Sequence, residues 1–160
     1  MFQTNMEKEK FKNLGVQLSD LQSLNKDDVL QCAQQIRILI SDTLHPIPVT
    51  DIFNSDILQI FPDLLKRDDQ PQLQHELVWV LINIFAEDAD KIVGVVKYGV
   101  IGPLVKLLTS NNDKVRFQSL WALSNIVCEY DPIIFLITSR CRIGRSDVKS
   151  SQIIVIFLSN

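Results

Sequence analysis

Two tryptophan–asparagine pairs have the clearest chemical potential in this sequence. Trp79 precedes Asn83 by four residues, and Trp121 precedes Asn125 by the same interval. Residues four apart lie on one face of an α-helix, so each pair places an indole beside an amide. An amide both donates and accepts hydrogen bonds and can bond an extended peptide backbone. An indole attracts Lys and Arg cations by about 0.5–2 kcal/mol and packs against their aliphatic stems.

Two further polar residues extend the same predicted face. Gln118 lies three residues before Trp121, and Glu129 lies four residues after Asn125. A carboxylate there could bind the charged head of a Lys or Arg ligand side chain. A structural interpretation stays open, because a single tryptophan within a helix usually packs in the core and a single asparagine is often a satisfied structural amide. The recurrence of both residues favours the binding interpretation, since an unused amide on a packing face would be costly.

The interval between the two pairs predicts the architecture that positions them. Trp79 and Trp121 are 42 residues apart, as are Asn83 and Asn125. A fixed period near 40 residues in helix-compatible sequence is the signature of an α-solenoid. Each period is predicted to hold two short helices and one long helix, which is the armadillo arrangement. The predicted fold is therefore all-α, a right-handed armadillo solenoid of two to two and a half repeats with an irregular C-terminal tail.

Hydrophobic periodicity and breaker residues predict where the helices lie. A short helix is expected to end near Asn25, and a longer one to begin at Asp27 or Asp28 and stop before Pro46. Two short apolar pieces follow within residues 51–66. The later helices are predicted over residues 72–85, 88–97, 104–108, opened by Pro103, and 114–129.

The same pattern divides the chain into three parts. Residues 17–132 are predicted to form the repeats, after an N-terminal arm at residues 1–16. One period upstream of Trp79 and Asn83 the hydrophobic frame persists, but Arg37 and Ser41 replace the Trp and Asn. Residues 133–160 are predicted to form a divergent, poorly ordered tail, because their apolar runs are β-branched and lack a helical period.

Composition narrows the classes of function. The net charge is −3, and residues 51–90 hold nine acids against two bases. This segment is either an ordinary solvated face or an acidic surface that attracts a basic partner. The whole chain gives no case for nucleic-acid binding, and its apolar runs are too short to span a membrane. Three cysteines without CxxC spacing indicate reduced thiols, and no metal cluster, phosphate-binding loop or nucleophile–base pair is present, so no enzyme activity and no cofactor are predicted.

The segments Leu73–Ile84 and Trp121–Ile126 resemble the armadillo repeats of importin alpha (karyopherin alpha), through the pattern Trp-x-Leu-x-Asn-Ile that both contain. The resemblance implies a nuclear import adaptor, here a short or truncated member, that binds nuclear localisation signals and acts in the cytoplasm and the nucleus. By that resemblance the peptide-binding residues are Trp79, Asn83, Gln118, Trp121, Asn125 and Glu129, the last standing where the family usually has Asp.

The resemblance also implies partners, and the sequence departs from the family in two places. Proteins bearing Lys/Arg-rich nuclear localisation signals are the expected partners, together with importin beta. The family binds importin beta through an N-terminal segment with runs of Arg and Lys, and residues 1–17 contain no such run. Residues 85–88 read Phe-Ala-Glu-Asp where the family has a Ser-Gly-Thr-like turn. The alternative is an armadillo scaffold, or a truncated gene product, without independent transport activity.

Overall fold

The computed structural model describes residues 18–42, 48–53, 55–87 and 89–130, and the regular structure of these residues is entirely helical. The predicted N-terminal arm and divergent tail lie outside them. The described helices are α1 (Leu18–Leu21), α2 (Lys26–Ser41), α3 (Val49–Phe53), a 3-10 helix (Asp56–Ile60), α4 (Phe61–Leu64), α5 (Pro71–Phe85), α6 (Ala89–Val96), α7 (Ile101–Leu107) and α8 (Asp113–Tyr130).

The first long helix, α2, begins at Lys26, one residue before the earlier of its two predicted starts, Asp27 and Asp28. Asn25 is its N-cap, and the Asn25 side-chain oxygen accepts a hydrogen bond of 3.0 Å from the backbone N–H of Asp27. Asp27 and Asp28 lie in the first turn, where negative charge interacts favourably with the helix dipole. One side of the helix is buried, through Val29, Cys32, Ala33, Ile36 and Ile40.

Prolines and a glycine set several of the later helix ends. Pro71 is the first residue of α5, where its missing N–H has no intrahelical partner to lose. Gly99, which follows α6, has a φ of 86°, a conformation that costs glycine little and other residues more.

The prediction that Pro103 opens the next helix is wrong by two residues. Helix α7 begins at Ile101, and the backbone N–H of Leu104 donates to the carbonyl of Val100 at 3.0 Å. Pro103 is thus the third residue of the helix. It is tolerated there because the first four N–H groups of a helix have no intrahelical acceptor.

The three long helices pack side by side and carry the site. Helix α5 lies between α2 and α8 and contacts both, while the short helix α7 packs against α8. The side of α5 that bears Leu77 and Leu81 is fully buried in a core shared with Phe61, Ile92 and Leu104. No described helix is both long and apolar enough to cross a membrane.

Candidate peptide-binding face

We use the name Trp–Asn face for Trp79, Asn83, Trp121 and Asn125, which lie on the adjacent helices α5 and α8. The indoles are 37% and 49% exposed, whereas the residue after each tryptophan, Val80 or Ala122, is fully buried. Core packing therefore does not account for the tryptophans. Their helices are fixed by burial of other sides, which leaves both indoles accessible to a ligand.

The two asparagines are partly exposed and make different hydrogen bonds. The Asn83 side-chain N–H donates to the carbonyl of Trp79 within α5, at 2.9 Å. The Asn125 side-chain N–H donates to the carbonyl of Ile82, at 3.5 Å, and so joins α8 to α5. Each bond uses one N–H. An amide also has a second N–H and a carbonyl oxygen, so both side chains keep capacity for a ligand backbone.

A second aromatic or heteroaromatic ring packs against each indole. His75 lies with its ring centroid 6.1 Å from that of Trp79, and Phe117 lies 6.5 Å from Trp121 in an edge-on arrangement. Neither His75 nor Phe117 is among the site residues predicted from the sequence. The available signal was their position four residues before each tryptophan, which makes them equivalent in the 42-residue period.

Burial lowers the pKa of His75, and the nearby cations Lys114 and Arg37 lower it further, against an opposing effect of Glu76. The lowered pKa favours the neutral form of His75. In that form the imidazole does not repel a basic ligand at Trp79.

Gln118 and Glu129, the two remaining predicted site residues, are not seen on the accessible surface that the other four share. Gln118 is only 5% exposed, and its side-chain oxygen is buried without a hydrogen-bond partner among the described residues. It does not share the accessible surface of Trp121. The backbone of Glu129 belongs to α8, but its side chain lies outside the described part of the structure. Their roles in binding stay predictions.

Arg37, the residue one period before Trp79, forms an ion pair. Arg37 on α2 interacts with Glu76 on α5, and their side chains are 30% and 12% exposed. Glu76 lies three residues before Trp79, as Gln118 lies three residues before Trp121. The sequence places Arg37 one period before Trp79, but its pairing with Glu76 is a finding of the structure.

Residues 51–90, which hold nine acids and two bases, do not form one uniform negative surface. Asp68 and Asp69 lie in the turn before α5. Asp68 pairs with Lys106, which follows α5 in the sequence, and Asp69 pairs with Lys26, which precedes it. The hydrogen bond from Lys26 is the main reason that the pKa of Asp69 is lowered. Further pairs join Asp63 to Lys66, Glu76 to Arg37 and Glu87 to Lys91. Local pairing of these acids favours the solvated-face interpretation.

Other candidate sites are weaker. Within residues 18–42, 48–53, 55–87 and 89–130, no group of three His, Cys, Asp or Glu side chains could hold a metal ion. A cavity of about 480 Å³ lies between the turns that precede α5 and α8. Asp68, Gln74 and Lys106 help to line it, and no residue of the Trp–Asn face does.

Known proteins match this chain in both sequence and fold. The family model for the Armadillo/beta-catenin-like repeat matches residues 90–128. Importin subunit alpha-1b of Oryza sativa subsp. japonica is 35% identical over 118 residues, which cover 74% of this chain and 22% of that protein. The chain is an armadillo-repeat relative of the importin alpha subunits. Importin subunit alpha-2 of Arabidopsis thaliana is 32% identical over 117 residues, covering 73% of this chain and 22% of its own length.

Solved structures confirm the armadillo fold of this importin alpha relative. A designed armadillo repeat protein in complex with the peptide (KR)4 superposes with a TM-score of 0.61 at 22% identity, covering 68% of this chain and 44% of the designed one. An engineered protein superposes with a TM-score of 0.62 at 22% identity, over 89% and 59% of the two chains. The chain spans about a fifth of the length of the curated relatives it matches.

Proposed function

We propose that the Trp–Asn face binds extended Lys/Arg-rich peptides of the nuclear localisation signal type. The observation that carries the proposal is that two Trp–Asn pairs, one period apart, lie on adjacent packed helices with their indoles accessible. The exposed part of each indole gains no free energy from burial, so binding of a ligand gives it a use.

The chemistry of the face matches such a ligand. Asn83 and Asn125 bond the peptide backbone, which holds the peptide extended without selecting its side chains. Trp79 and Trp121 receive the aliphatic stems of Lys or Arg and attract their charged ends. Gln118 and Glu129 contribute at the flank of the same helix, Gln118 by turning outward from its buried position and Glu129 by its carboxylate.

The biological role that follows is that of a nuclear import adaptor. Its partners are proteins with Lys/Arg-rich nuclear localisation signals, and importin beta is the expected transport partner. The protein then acts in the cytoplasm and the nucleus. The relationship to importin alpha subunits supports this role, and the designed protein bound to (KR)4 illustrates an armadillo surface that holds a basic peptide.

Calorimetric titration with a Lys-rich peptide tests the proposal. We expect salt-sensitive binding, because part of the affinity is electrostatic. Trp121→Ala should weaken it about tenfold, which corresponds to about 1.4 kcal/mol and lies within the range for a cation–aromatic contact. Asn125→Ala should also weaken it, by removing a backbone-binding amide.

Tyr98→Ala is the matched control, since Tyr98 is an exposed aromatic residue that follows α6. It should leave the affinity unchanged. Binding that is absent, or that Trp121→Ala and Asn125→Ala do not reduce, would refute the proposal and favour an armadillo scaffold without cargo binding.

A further inference from the structure

Arg37 lies at the position in the 42-residue period that Trp79 and Trp121 occupy in the later repeats. It lies 42 residues before Trp79, on α2, the long helix that packs beside α5. A peptide that follows Asn125 and Asn83 along the face next passes over this helix. The first side chain that it meets at the equivalent position is a guanidinium instead of an aromatic ring.

The partner of Arg37 is the carboxylate closest in sequence to the first indole. Glu76 lies three residues before Trp79 on α5 and is 12% exposed, while Arg37 is 30% exposed. Without Arg37, Glu76 would attract a cation of the ligand. With Arg37 present, that attraction is already satisfied within the chain, and the more exposed member of the pair is the cation.

The surface of α2 at Arg37 therefore carries a positive charge at the position where α5 and α8 have an uncharged indole. A guanidinium is charged at every accessible pH and has five N–H donors, more than one carboxylate uses. The exposed 30% of the Arg37 side chain is accessible to a ligand. A ligand Lys or Arg placed there meets a guanidinium in place of an indole, and Glu76 is already paired with Arg37.

We propose that Arg37 is a specificity-determining residue that ends the basic-peptide site at α2. The favoured ligand has a short Lys/Arg run over Trp79 and Trp121, followed over α2 by an acidic or hydrogen-bond-accepting residue. A run that continues with Lys or Arg over α2 is disfavoured. This inference rests on the proposed peptide-binding function and adds the chemistry of the flanking position.

A purely structural role for the pair makes a different prediction. If the pair only joins α2 to α5, removing either member has the same consequence for binding. If Arg37 selects the ligand, removing Arg37 and removing Glu76 change selectivity in opposite directions. Arg37→Gln frees Glu76 for a ligand cation, whereas Glu76→Gln leaves Arg37 without its counter-charge.

The experiment uses the full chain and five peptides that share a four-lysine core. One is the core alone, and the other four add three Glu or three Lys residues at the amino or carboxyl end. Calorimetry measures the affinity ratio of the Glu to the Lys extension at each end. For the unsubstituted chain we expect a ratio of about ten at one end, the end that passes over α2, and a ratio near one at the other.

Arg37→Gln should reduce that ratio to below about two, and Glu76→Gln should raise it above that of the unsubstituted chain. Arg37→Lys keeps the charge and should keep the preference, so it tests the proposal even if Arg37→Gln does not fold. Lys26→Gln is the matched control. It removes one positive charge from the same helix, about 16 Å away along the axis at 1.5 Å per residue, and should leave the ratio unchanged.

Failure of the core peptide to bind the unsubstituted chain refutes the proposed function and this inference with it. Binding of the core without a preference at either end refutes the inference alone. Parallel changes in selectivity for Arg37→Gln and Glu76→Gln also refute it, because they show that the pair acts only as a link between helices.

Discussion

Helices α5 and α8 share the Trp–Asn motif but have different surroundings. Val78, Ile82 and Phe85 of α5 are buried, whereas Leu120, Ser124 and Val127, each 42 residues later on α8, are partly exposed. Helix α5 packs between two long helices, and α8 contacts one long helix within the described residues. The same motif therefore lies in the middle of the packed array in one case and at the edge of its described part in the other.

The comparison separates what the motif determines from what the neighbours determine. Both tryptophans are accessible, so exposure of the indoles follows from the motif's place on the helix. The bonds of the asparagines differ, since Asn83 bonds within α5 and Asn125 bonds to a carbonyl of α5. Those bonds depend on which helix lies alongside.

The largest expected effect comes from placing a charge at the equivalent positions Val78 and Leu120. Val78→Asp buries an unpaired carboxylate beneath neighbouring helices and should lower the free energy of unfolding by about 3–5 kcal/mol. Leu120→Asp, at a partly exposed position, should cost about 1 kcal/mol or less. Urea unfolding of the two variants measures both. Equal costs would show that α8 is covered as completely as α5, and the contrast between the helices would be wrong.

A smaller effect is expected from the two asparagines, measured in the same urea unfolding. Replacing a helical Asn by Ala gains about 0.5 kcal/mol of helix propensity. Asn83→Ala should be neutral or slightly stabilising, because its bond is local and exposed. Asn125→Ala loses the bond to Ile82, worth about 0.5–1 kcal/mol, and should be neutral or slightly destabilising. If Asn83→Ala lowered the free energy of unfolding more than Asn125→Ala does, the bond between α8 and α5 would not distinguish the two positions.

The smallest effect concerns His75 and its counterpart Phe117. Because the folded pKa of His75 is lowered, the unfolded chain binds a proton more readily than the folded chain. Stability should fall slightly as the pH drops below the ordinary histidine pKa of 6.5, and recover as the pH rises. His75→Phe, which copies the residue at 117, should remove this component. Thermal unfolding measured from about pH 5 to about pH 7.5, the range over which histidine titrates, tests this prediction. Phe117→Leu is the control and should leave the pH dependence of stability unchanged.

Much of the fold could be predicted from sequence because its signals are local or periodic. The recurrence of Trp79 and Trp121 indicates the repeat. The helix starts predicted at Asp27 or Asp28 and near Gln72 lie within two residues of the observed starts of α2 and α5. The start of α7 was misplaced for a physical reason. A proline is tolerated anywhere in the first turn, so Pro103 limits the helix start to a few residues without selecting one.

The site could be predicted only where it depends on one helix. The spacing of Trp79 and Asn83 places them on one face without knowledge of any neighbour. The burial of Gln118 and the pairing of Arg37 with Glu76 depend on how α8 packs on α5 and α5 on α2. Interhelical packing of this kind is set by side chains from several segments, and the sequence of one helix does not specify it.

The exposure of Trp79 and Trp121 has a spectroscopic consequence. They are the only tryptophans in the chain, and both belong to the Trp–Asn face. The intrinsic tryptophan fluorescence of the unlabelled protein therefore reports on this one surface. Because the two indoles differ in exposure and in the ring beside them, imidazole for one and phenyl for the other, single replacements would resolve two emission spectra, one for each helix of the face.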